Sequence, residues 1–391
     1  MTPTAACRFG LLSQRLSCRV LVCALLAGAL PGIATAAVET TTAAGAVTPT
    51  APERCMRIGV HQQDDRLTLQ AEFDAVTQTV NPERSAGILS REFRRIYDML
   101  EENRRLDARF DARMAVLSHE FFGPLLPGLR KAPCVIFQIE PTSMHFALDL
   151  LPVDGVPLFV LKPVAFSFDK LGGGSGNQAS AGDGRTPFAK GLDPQSKGFI
   201  LRDLETDPDD ATGEVQKLYP GSTFQLIRTA TPDMFARSRY DFLLISGEGV
   251  VSPTWGKPEK DENDAIGLGE DDMYPKDLQG AAFKLVYLDA SQLAMSKAFI
   301  DAARRSGARH YVAPLISNEA GHSSTLTLRY FFNDLNKGVT PMDALFQTRR
   351  QLYKEFEGRV NRTEQIYYAY PFRLYLPVSY THLTLPTILL V

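Results

Sequence analysis

The feature that most constrains this chain is an alternation of short apolar runs and helical stretches over residues 198–357. The apolar runs are the length of buried strands, and they are GFIL (198–201), FQLI (224–227), DFLLIS (241–246), KLVYLD (284–289) and HYVAPL (310–315). The helical stretches cover 211–219, 232–237, 292–305, 320–336 and 341–357. Strands that alternate with helices form a mainly parallel sheet covered on both faces, so the sequence predicts an α/β fold.

A helical segment precedes this region. Apolar residues recur at three- and four-residue steps from Leu89 to Phe121, with charged residues on the other face, which predicts one long amphipathic helix or two over about 85–121. For the helix that starts at Pro341, Thr340 is a suitable N-cap. Further strands are predicted at 134–139, 159–161, 164–168 and 371–376.

Composition excludes several classes of protein. The 391 residues are 44% hydrophobic and 22% charged, which excludes a mostly disordered, collagenous or multispan membrane chain. The formal net charge is −3. The first 36 residues hold Arg8, Arg15 and Arg19 and no acidic residue, so the remainder carries 39 basic against 45 acidic residues. Without a basic surplus, we expect no nucleic-acid partner.

Residues 1–36 are typical of a secretory signal peptide. The arginines precede an apolar run at 20–30, and Ala-Thr-Ala at 34–36 supplies the small-x-small cleavage pattern. The run is too short to span about 30 Å of hydrocarbon, although an uncleaved membrane anchor is the alternative. Cys23 follows Val22 rather than a small residue, so lipidation is not expected. We expect a periplasmic or secreted protein, with no stable membrane insertion after cleavage.

Three segments lie outside the alternating region. Residues 37–52, AVETTTAAGAVTPTAP, contain no large apolar residue except valine and predict a flexible linker. Residues 53–84 form an N-terminal segment before the main domain. The glycine-rich insertion 171–185 lacks the Gly-Lys-Ser/Thr of a phosphate loop, so a flexible loop is the better interpretation.

The far end of the chain has a different origin in this interpretation. VSYTHLTLPT, Val378 to Thr387, matches ten consecutive codons of a transposase-type sequencing adapter. We therefore expect residues 378–391 to be foreign to the natural protein. His382 takes no part in any catalytic hypothesis.

Two of the five cysteines, Cys55 and Cys134, lie beyond the signal segment. In an oxidising compartment they can pair. Two separate thiols, with Cys134 buried in the strand CVIFQI, are an equally open alternative.

The acidic stretch KPEKDENDAIGLGEDD, residues 257–272, lies between two predicted core strands. A solvated surface loop is the favoured interpretation, and a cation or basic-peptide site is the alternative. Asp261, Asn263 and Asp264 lack the regular spacing and central glycine of a calcium loop, so no metal is expected.

Each of two predicted strands is followed by a polar residue that has small neighbours. DFLLIS continues into Gly247-Glu248-Gly249, and KLVYLD continues into Ala290-Ser291. Ligands of an open parallel sheet bind at the carboxyl ends of its strands. Glycines on both sides of one polar residue let the backbone turn sharply and present that side chain. The sequence therefore predicts a binding cleft at these five residues.

Six segments in chain order resemble the CHAT domain family, caspase-like domains of the clan that holds caspases and gingipain-type cysteine peptidases. They are FFGPLLPGLRKAPCVIFQIEPTSMHFALDLLPV, ATGEVQKLYPGSTFQLIRTATPDMF, YDFLLISGEG, FKLVYLDAS, SGARHYVAPLISNEAGHSSTLTLRYFFNDLNKGVTPMDALFQTRRQL and YYAYPFRLYL. The resemblance covers residues 85–377. It implies a caspase-like α/β sandwich with a mainly parallel central sheet and a helical N-terminal lead.

The resemblance also implies that both catalytic positions are substituted. The family has a histidine between the two glycines and a cysteine after the second strand, and these positions hold Glu248 and Ser291 here. A Cys/His dyad needs an imidazole to accept the thiol proton, and Glu248 and Ser291 supply neither a thiol nor an imidazole. The implied function is a catalytically inactive domain that binds a peptide or protein partner in its cleft, without a cofactor.

The alternative function is an active peptidase or other hydrolase with an atypical serine nucleophile. Ser291 or Ser246 paired with His322 is the substitute dyad that the sequence allows, because activating a hydroxyl takes a well-placed imidazole. His310 starts a core strand, and we expect it to be structural. The other histidines match no position of the family's site; they are His61, His119 and His145.

Overall fold

The computed structural model describes residues 55–102, 109–168, 192–251 and 263–376. The predicted signal peptide, the linker 37–52, the insertion 171–185 and the tail from Val378 lie outside these ranges. All of the described residues belong to one unit of the chain, Thr48–Val391.

The secondary structure of the described ranges consists of short strands and mostly short helices. The strands are β1 Met56–Gln63, β2 Arg66–Phe73, β3 Val76–Val80, β4 Val135–Ile139, β5 Pro152–Val153, β6 Val156–Pro157, β7 Val164–Ser167, β8 Gly198–Arg202, β9 Thr223–Leu226, β10 Phe242–Ser246, β11 Gly249–Val250, β12 Ala265–Gly267, β13 Asp272–Met273, β14 Leu285–Asp289, β15 His310–Pro314 and β16 Phe372–Tyr375. The helices are α1 Ala86–Glu101, α2 Arg109–Phe122, α3 Leu126–Lys131, α4 Leu158–Leu161, α5 Ala211–Leu218, α6 Asp233–Ala236, α7 Lys297–Arg305, α8 His322–Asn336, α9 Pro341–Glu355 and α10 Arg362–Ala369. No helix in these ranges has the length and apolar surface that crossing a bilayer requires.

One large sheet organises the structure. Its eleven strands lie in the order β3-β2-β1-β4-β7-β16-β15-β14-β10-β8-β9. The antiparallel pairs are β1–β2, β2–β3 and β15–β16, and the other neighbours run parallel. This confirms the predicted α/β fold with a mainly parallel sheet.

Helices cover both faces of this sheet. Along β10, Leu243 and Ile245 belong to one apolar cluster, together with residues of α1, α2 and α7. Phe242 and Leu244 belong to a second cluster, together with residues of α5 and α8. Successive side chains of a strand point to opposite faces, so a strand that is buried on both faces is an unbroken apolar run. The core strands could be predicted for this reason.

The segment FVL at 159–161 was predicted as a strand, and this prediction is wrong. It forms helix α4, which lies between Pro157 and Pro163 and packs against α9. An apolar run of this length carries no periodicity that distinguishes a buried strand from a buried helical turn.

The predicted helix at 292–305 begins later than expected. Gln292 has a left-handed backbone with φ of 61°, and a 3₁₀ turn, Leu293–Met295, follows before α7 starts at Lys297. The start of α9 agrees with prediction, since the Thr340 hydroxyl accepts a hydrogen bond from the backbone N–H of Asp343 at 3.2 Å.

The segment 53–84 joins the same sheet. Strands β1, β2 and β3 form an antiparallel ribbon, and β1 pairs in parallel with β4. The alternation in RLTLQAEF was the available signal for β2. Helix α10 was also not predicted, although Asn361 and Glu364 form a capping box at its start.

Cys55 and Cys134 form a disulfide, with their Cα atoms 4.6 Å apart. Each cysteine directly precedes its strand, and the register of β1 with β4 places Met56 opposite Val135. The parallel pairing therefore brings the two thiols together. The question that the sequence left open is answered in favour of the bond.

A buried charge cluster anchors the closing strand β16. The Asp149 carboxylate accepts from the Tyr370 hydroxyl at 2.8 Å and lies 3.3 Å from Arg349 Nη1 and 3.6 Å from Arg373 Nη2. Arg373 also donates to the carbonyl oxygen of Met144 at 2.6 Å. These contacts tie the loop at 141–150 to α9 and β16.

Candidate functional site

The strand ends that the sequence predicts as a cleft lie side by side. β10 and β14 are parallel neighbours with Ser246 opposite Asp289, so the residues that follow leave the sheet at the same edge. The backbone N–H of Gly247 donates to the Asp289 carbonyl oxygen at 3.1 Å. Glu248 and Ser291 therefore occupy corresponding positions, two residues beyond the last pair of the ladder. We call this edge, residues 247–250 and 290–292, the rim.

Gly249 packs directly against the Ser291 backbone. A Cβ at position 249 would lie 2.6 Å from the Ser291 carbonyl oxygen and 2.9 Å from its nitrogen, closer than real Cβ atoms come. The turn is also held from the other side, because Gly267 N–H donates to the Glu248 carbonyl oxygen at 3.1 Å and β11 pairs with β12. Only glycine permits this approach, so packing accounts for the second glycine of Gly-Glu-Gly.

The side chains of the rim differ in exposure. Glu248 is exposed and Ser291 is half-buried, whereas Gly247 and Ala290 are buried. Within the described ranges, neither the Glu248 carboxylate nor the Ser291 hydroxyl has a hydrogen-bond partner. An exposed carboxylate beside a hydroxyl can bind a cationic or hydrogen-bonding group of a ligand, but it supplies no imidazole to activate that hydroxyl.

A buried carboxylate stands immediately before Ala290. Asp289 accepts hydrogen bonds from Asn318 Nδ2 at 2.6 Å, Ser324 Oγ at 2.7 Å and Ser246 Oγ at 3.4 Å. Burial raises the pKa of Asp289 to about 6, and these hydrogen bonds act in the opposite direction. The network joins β10 and β14 to the start of α8, and so supports the rim from below the surface.

A second buried carboxylate, Asp207, caps α5. It accepts from the backbone N–H of Ala211 at 2.8 Å and from the Thr212 hydroxyl at 2.6 Å, and Arg202 Nε lies 3.5 Å away. Besides burial, the charge of Asp207 raises the pKa of Asp289. Neither carboxylate was predicted from the sequence; an aspartate at the end of an apolar run was the signal for Asp289.

A residue of α1 also holds the rim, through contacts that were not predicted from the sequence. Glu101 Oε1, at the end of that helix, accepts from the backbone N–H of Ser317 at 2.7 Å and from Gln292 Nε2 at 3.4 Å. Gln292 directly follows Ser291 in the chain. The end of α1 therefore fixes the chain directly after Ser291, and Gly249 packs against Ser291 itself.

The structure does not bring His322 into a hydrogen bond with either serine of the substitute dyad. The His322 ring packs edge-on against Phe356 and Tyr368, with centroid distances of 5.3 and 5.9 Å. The Ser246 hydroxyl is buried and directed at the network of Asp289. In the described part of the chain, no hydrogen bond joins His322 to Ser246 or Ser291.

The other imidazoles and thiols are placed by different parts of the fold. His310 begins β15, at the edge of the sheet opposite to the rim. His145 is buried with Nε2 2.5 Å from Ser90 Oγ, and burial lowers the pKa of its imidazole to about 4. His61 lies on β1 and His119 on α2. Both described cysteines form the disulfide, so neither provides a free thiol.

The acidic stretch 257–272 is described from residue 263 onward. Asp264 is buried there, and the following residues form β12 and β13. The described residues contain no group of three or more His, Cys, Asp or Glu side chains arranged to hold a metal ion.

No model of a known protein family matches the chain, and no curated protein matches it significantly.

Proposed function

We propose that this chain is an exported, catalytically inactive relative of the CHAT domains that binds a peptide or protein partner at the rim. The observation that carries the proposal is the meeting of the turns after β10 and β14, with Gly249 against the Ser291 backbone. At the positions where the family has histidine and cysteine, the two turns carry an exposed carboxylate, Glu248, and a hydroxyl, Ser291.

The chemistry of the rim supports binding without catalysis. A cysteine peptidase needs a thiolate, and both described cysteines form a disulfide at the starts of β1 and β4. A serine hydrolase needs an imidazole within hydrogen-bond reach of the hydroxyl, and no described histidine is so placed at Ser291. Glu248 alone is a poor substitute, since a serine hydroxyl is a far weaker acid than a thiol.

The small sheet beside the rim supports an extended peptide as the ligand. β11 is an edge strand of the sheet β11-β12-β13, and Val250 on it is 55% exposed. An edge strand offers backbone groups to an added peptide strand, while neighbouring side chains select its sequence. The exposed carboxylate of Glu248 favours a lysine or arginine at the facing position of the peptide.

The Cys55–Cys134 disulfide supports the exported location. Disulfides form and persist in oxidising compartments, which include the periplasm and the extracellular space. The bond agrees with the signal peptide expected at residues 1–36, and sequencing of the mature N-terminus is the direct test of cleavage after Ala36.

A displayed random peptide library, panned against the full chain, tests the binding proposal. The affinity of selected peptides is measured by fluorescence anisotropy for wild type, Glu248→Gln, Gly249→Ala and the control Gly267→Ala. The control adds the same methyl group in the neighbouring strand, where a Cβ meets open space.

The proposal predicts that Glu248→Gln and Gly249→Ala each weaken binding about tenfold, equivalent to about 1.4 kcal/mol, and that Gly267→Ala changes it little. Failure to select any peptide, or equal affinity in all four proteins, contradicts the proposal. Cleavage of selected peptides that disappears in Ser291→Ala favours the alternative of an active serine hydrolase.

A further inference from the structure

A polar cleft of about 790 Å³ opens between the 3₁₀ turn Pro275–Leu278 and helix α7. This volume is within the range of ligand sites. Among the described residues, its charged lining is mostly basic, with Lys276 on one wall and Lys297 and Arg305 on the other, against one carboxylate, Asp301.

The one carboxylate among the described lining residues already has basic partners. Asp301 pairs with Lys297 and lies 3.5 Å from Arg304 Nη2. Lys276 lies over the ring of Tyr274, with Nζ 5.2 Å from its centroid. Within the described ranges, neither Lys276 nor Arg305 has a carboxylate partner. The described residues of the cleft thus include more basic than acidic side chains, in a chain whose net charge is −3.

Both walls of the cleft are connected to the rim through the chain. Tyr274 directly follows β13, the third strand of the small sheet that begins with β11 at Gly249. On the other wall, α7 starts six residues after Ser291. The segments that carry the basic side chains are therefore connected in the chain both to the small sheet and to the turn at Ser291.

We infer that an acidic segment of the bound peptide occupies this cleft, with its carboxylates against Lys276 and Arg305. The inference rests on the proposed function and names its ligand as a peptide with acidic residues beyond the part that crosses the rim. Lysine and arginine bind carboxylates through charge-assisted hydrogen bonds, and in arginine the two-pronged guanidinium adds orientation.

Fluorescence anisotropy of labelled hexaglutamate and hexaglutamine peptides with the full chain tests the inference. Hexaglutamate should bind more tightly, and its advantage should shrink as the salt concentration rises from about 50 mM to about 300 mM, because exposed charge pairs are screened. The double variant Lys276→Gln/Arg305→Gln should weaken hexaglutamate binding about tenfold. Lys217→Gln, an exposed charge on α5, is the control for each single charge removed.

Equal affinity for the two peptides overturns the inference, and so does a loss in Lys217→Gln as large as in the double variant. The two proposals fail differently. Failure of the proposed function appears as library peptides whose binding is unaffected by Gly249→Ala. Failure of the inference appears as hexaglutamate binding that does not depend on Lys276 and Arg305.

Discussion

The backbone of Gly249 lies against the backbone of Ser291, so closely that a Cβ at position 249 would stand 2.6 Å from the Ser291 carbonyl oxygen. This contact joins the turn after β10 to the turn after β14. The two side chains that a ligand meets first, Glu248 and Ser291, are thus positioned by their backbones. Changes to those backbones should therefore weaken binding, as should loss of the Glu248 carboxylate.

Replacement of Gly249 by alanine should separate the two turns. The added methyl group has no room, and overpacking of this kind costs about 1–3 kcal/mol. Hydrogen exchange should become faster at residues 247–250 and 290–292 and stay unchanged in the distant strand β4. Gly267→Ala should show wild-type exchange, and equal protection of the rim in both variants would contradict the account.

Asp289→Asn should change how stability depends on pH. Burial raises the pKa of Asp289 from 3.8 to about 6, so the folded state holds this proton more tightly than the unfolded state does. The contribution of Asp289 to the free energy of unfolding therefore falls as pH rises from about 4 to about 6, by up to about 3 kcal/mol. The variant should lack this fall, so its stability relative to wild type should increase over that range.

Asp241→Asn provides a control of opposite sign. Burial acts to raise the pKa of Asp241, but hydrogen bonds from the Lys284 side chain and the Lys197 backbone lower it overall. Its stabilising contribution is present above its unfolded pKa and is lost on acidification. Urea unfolding at several pH values measures both variants, and parallel pH profiles for wild type and Asp289→Asn would refute the assignment.

Removal of the disulfide should destabilise the whole described fold. The bond closes a loop with a sequence separation of 79 residues, for which the chain-entropy model gives about 4 kcal/mol. The double variant Cys55→Ala/Cys134→Ala should unfold at a clearly lower guanidinium concentration than wild type. Coincident unfolding curves under non-reducing conditions would show that the bond contributes nothing.

Asp149→Ala should be among the most damaging single changes. It leaves the buried guanidinium groups of Arg349 and Arg373 without their carboxylate, and such losses cost about 3–5 kcal/mol. Asp154→Ala removes the partner of Arg130 at the surface and should leave the thermal midpoint unchanged within error. Similar midpoints for the two variants would contradict the structural role of the buried cluster.

The core strands were predictable because a strand buried on both faces is an almost unbroken apolar run, as in β10 and β14, where the last residues, Ser246 and Asp289, are the polar ones. The same rule fails for α4, a run of four apolar residues that carries no usable period and of which Leu158 and Phe159 are buried. It also misses β1 to β3, which lie at one end of the sheet and mix exposed with buried positions.

The pairing of Glu248 with Ser291 could be predicted because each follows a strand of the same parallel sheet. The surroundings of Asp289 could not. Its partners Asn318 and Ser324 come from a segment about 30 residues further along, and the packing of α8 on the sheet places them there. The disulfide likewise required the β1–β4 pairing, which neither local sequence encodes.

The most direct test of the central claim is a cleavage assay of the purified full chain against a broad peptide library, read by mass spectrometry beside Ser291→Ala. The account predicts no cleavage above background by either protein, since covalent catalysis needs an activated nucleophile and general-base assistance alone contributes about 10²–10⁴-fold. Cleavage by the parent protein that is lost in Ser291→Ala would contradict the account and identify Ser291 as a nucleophile.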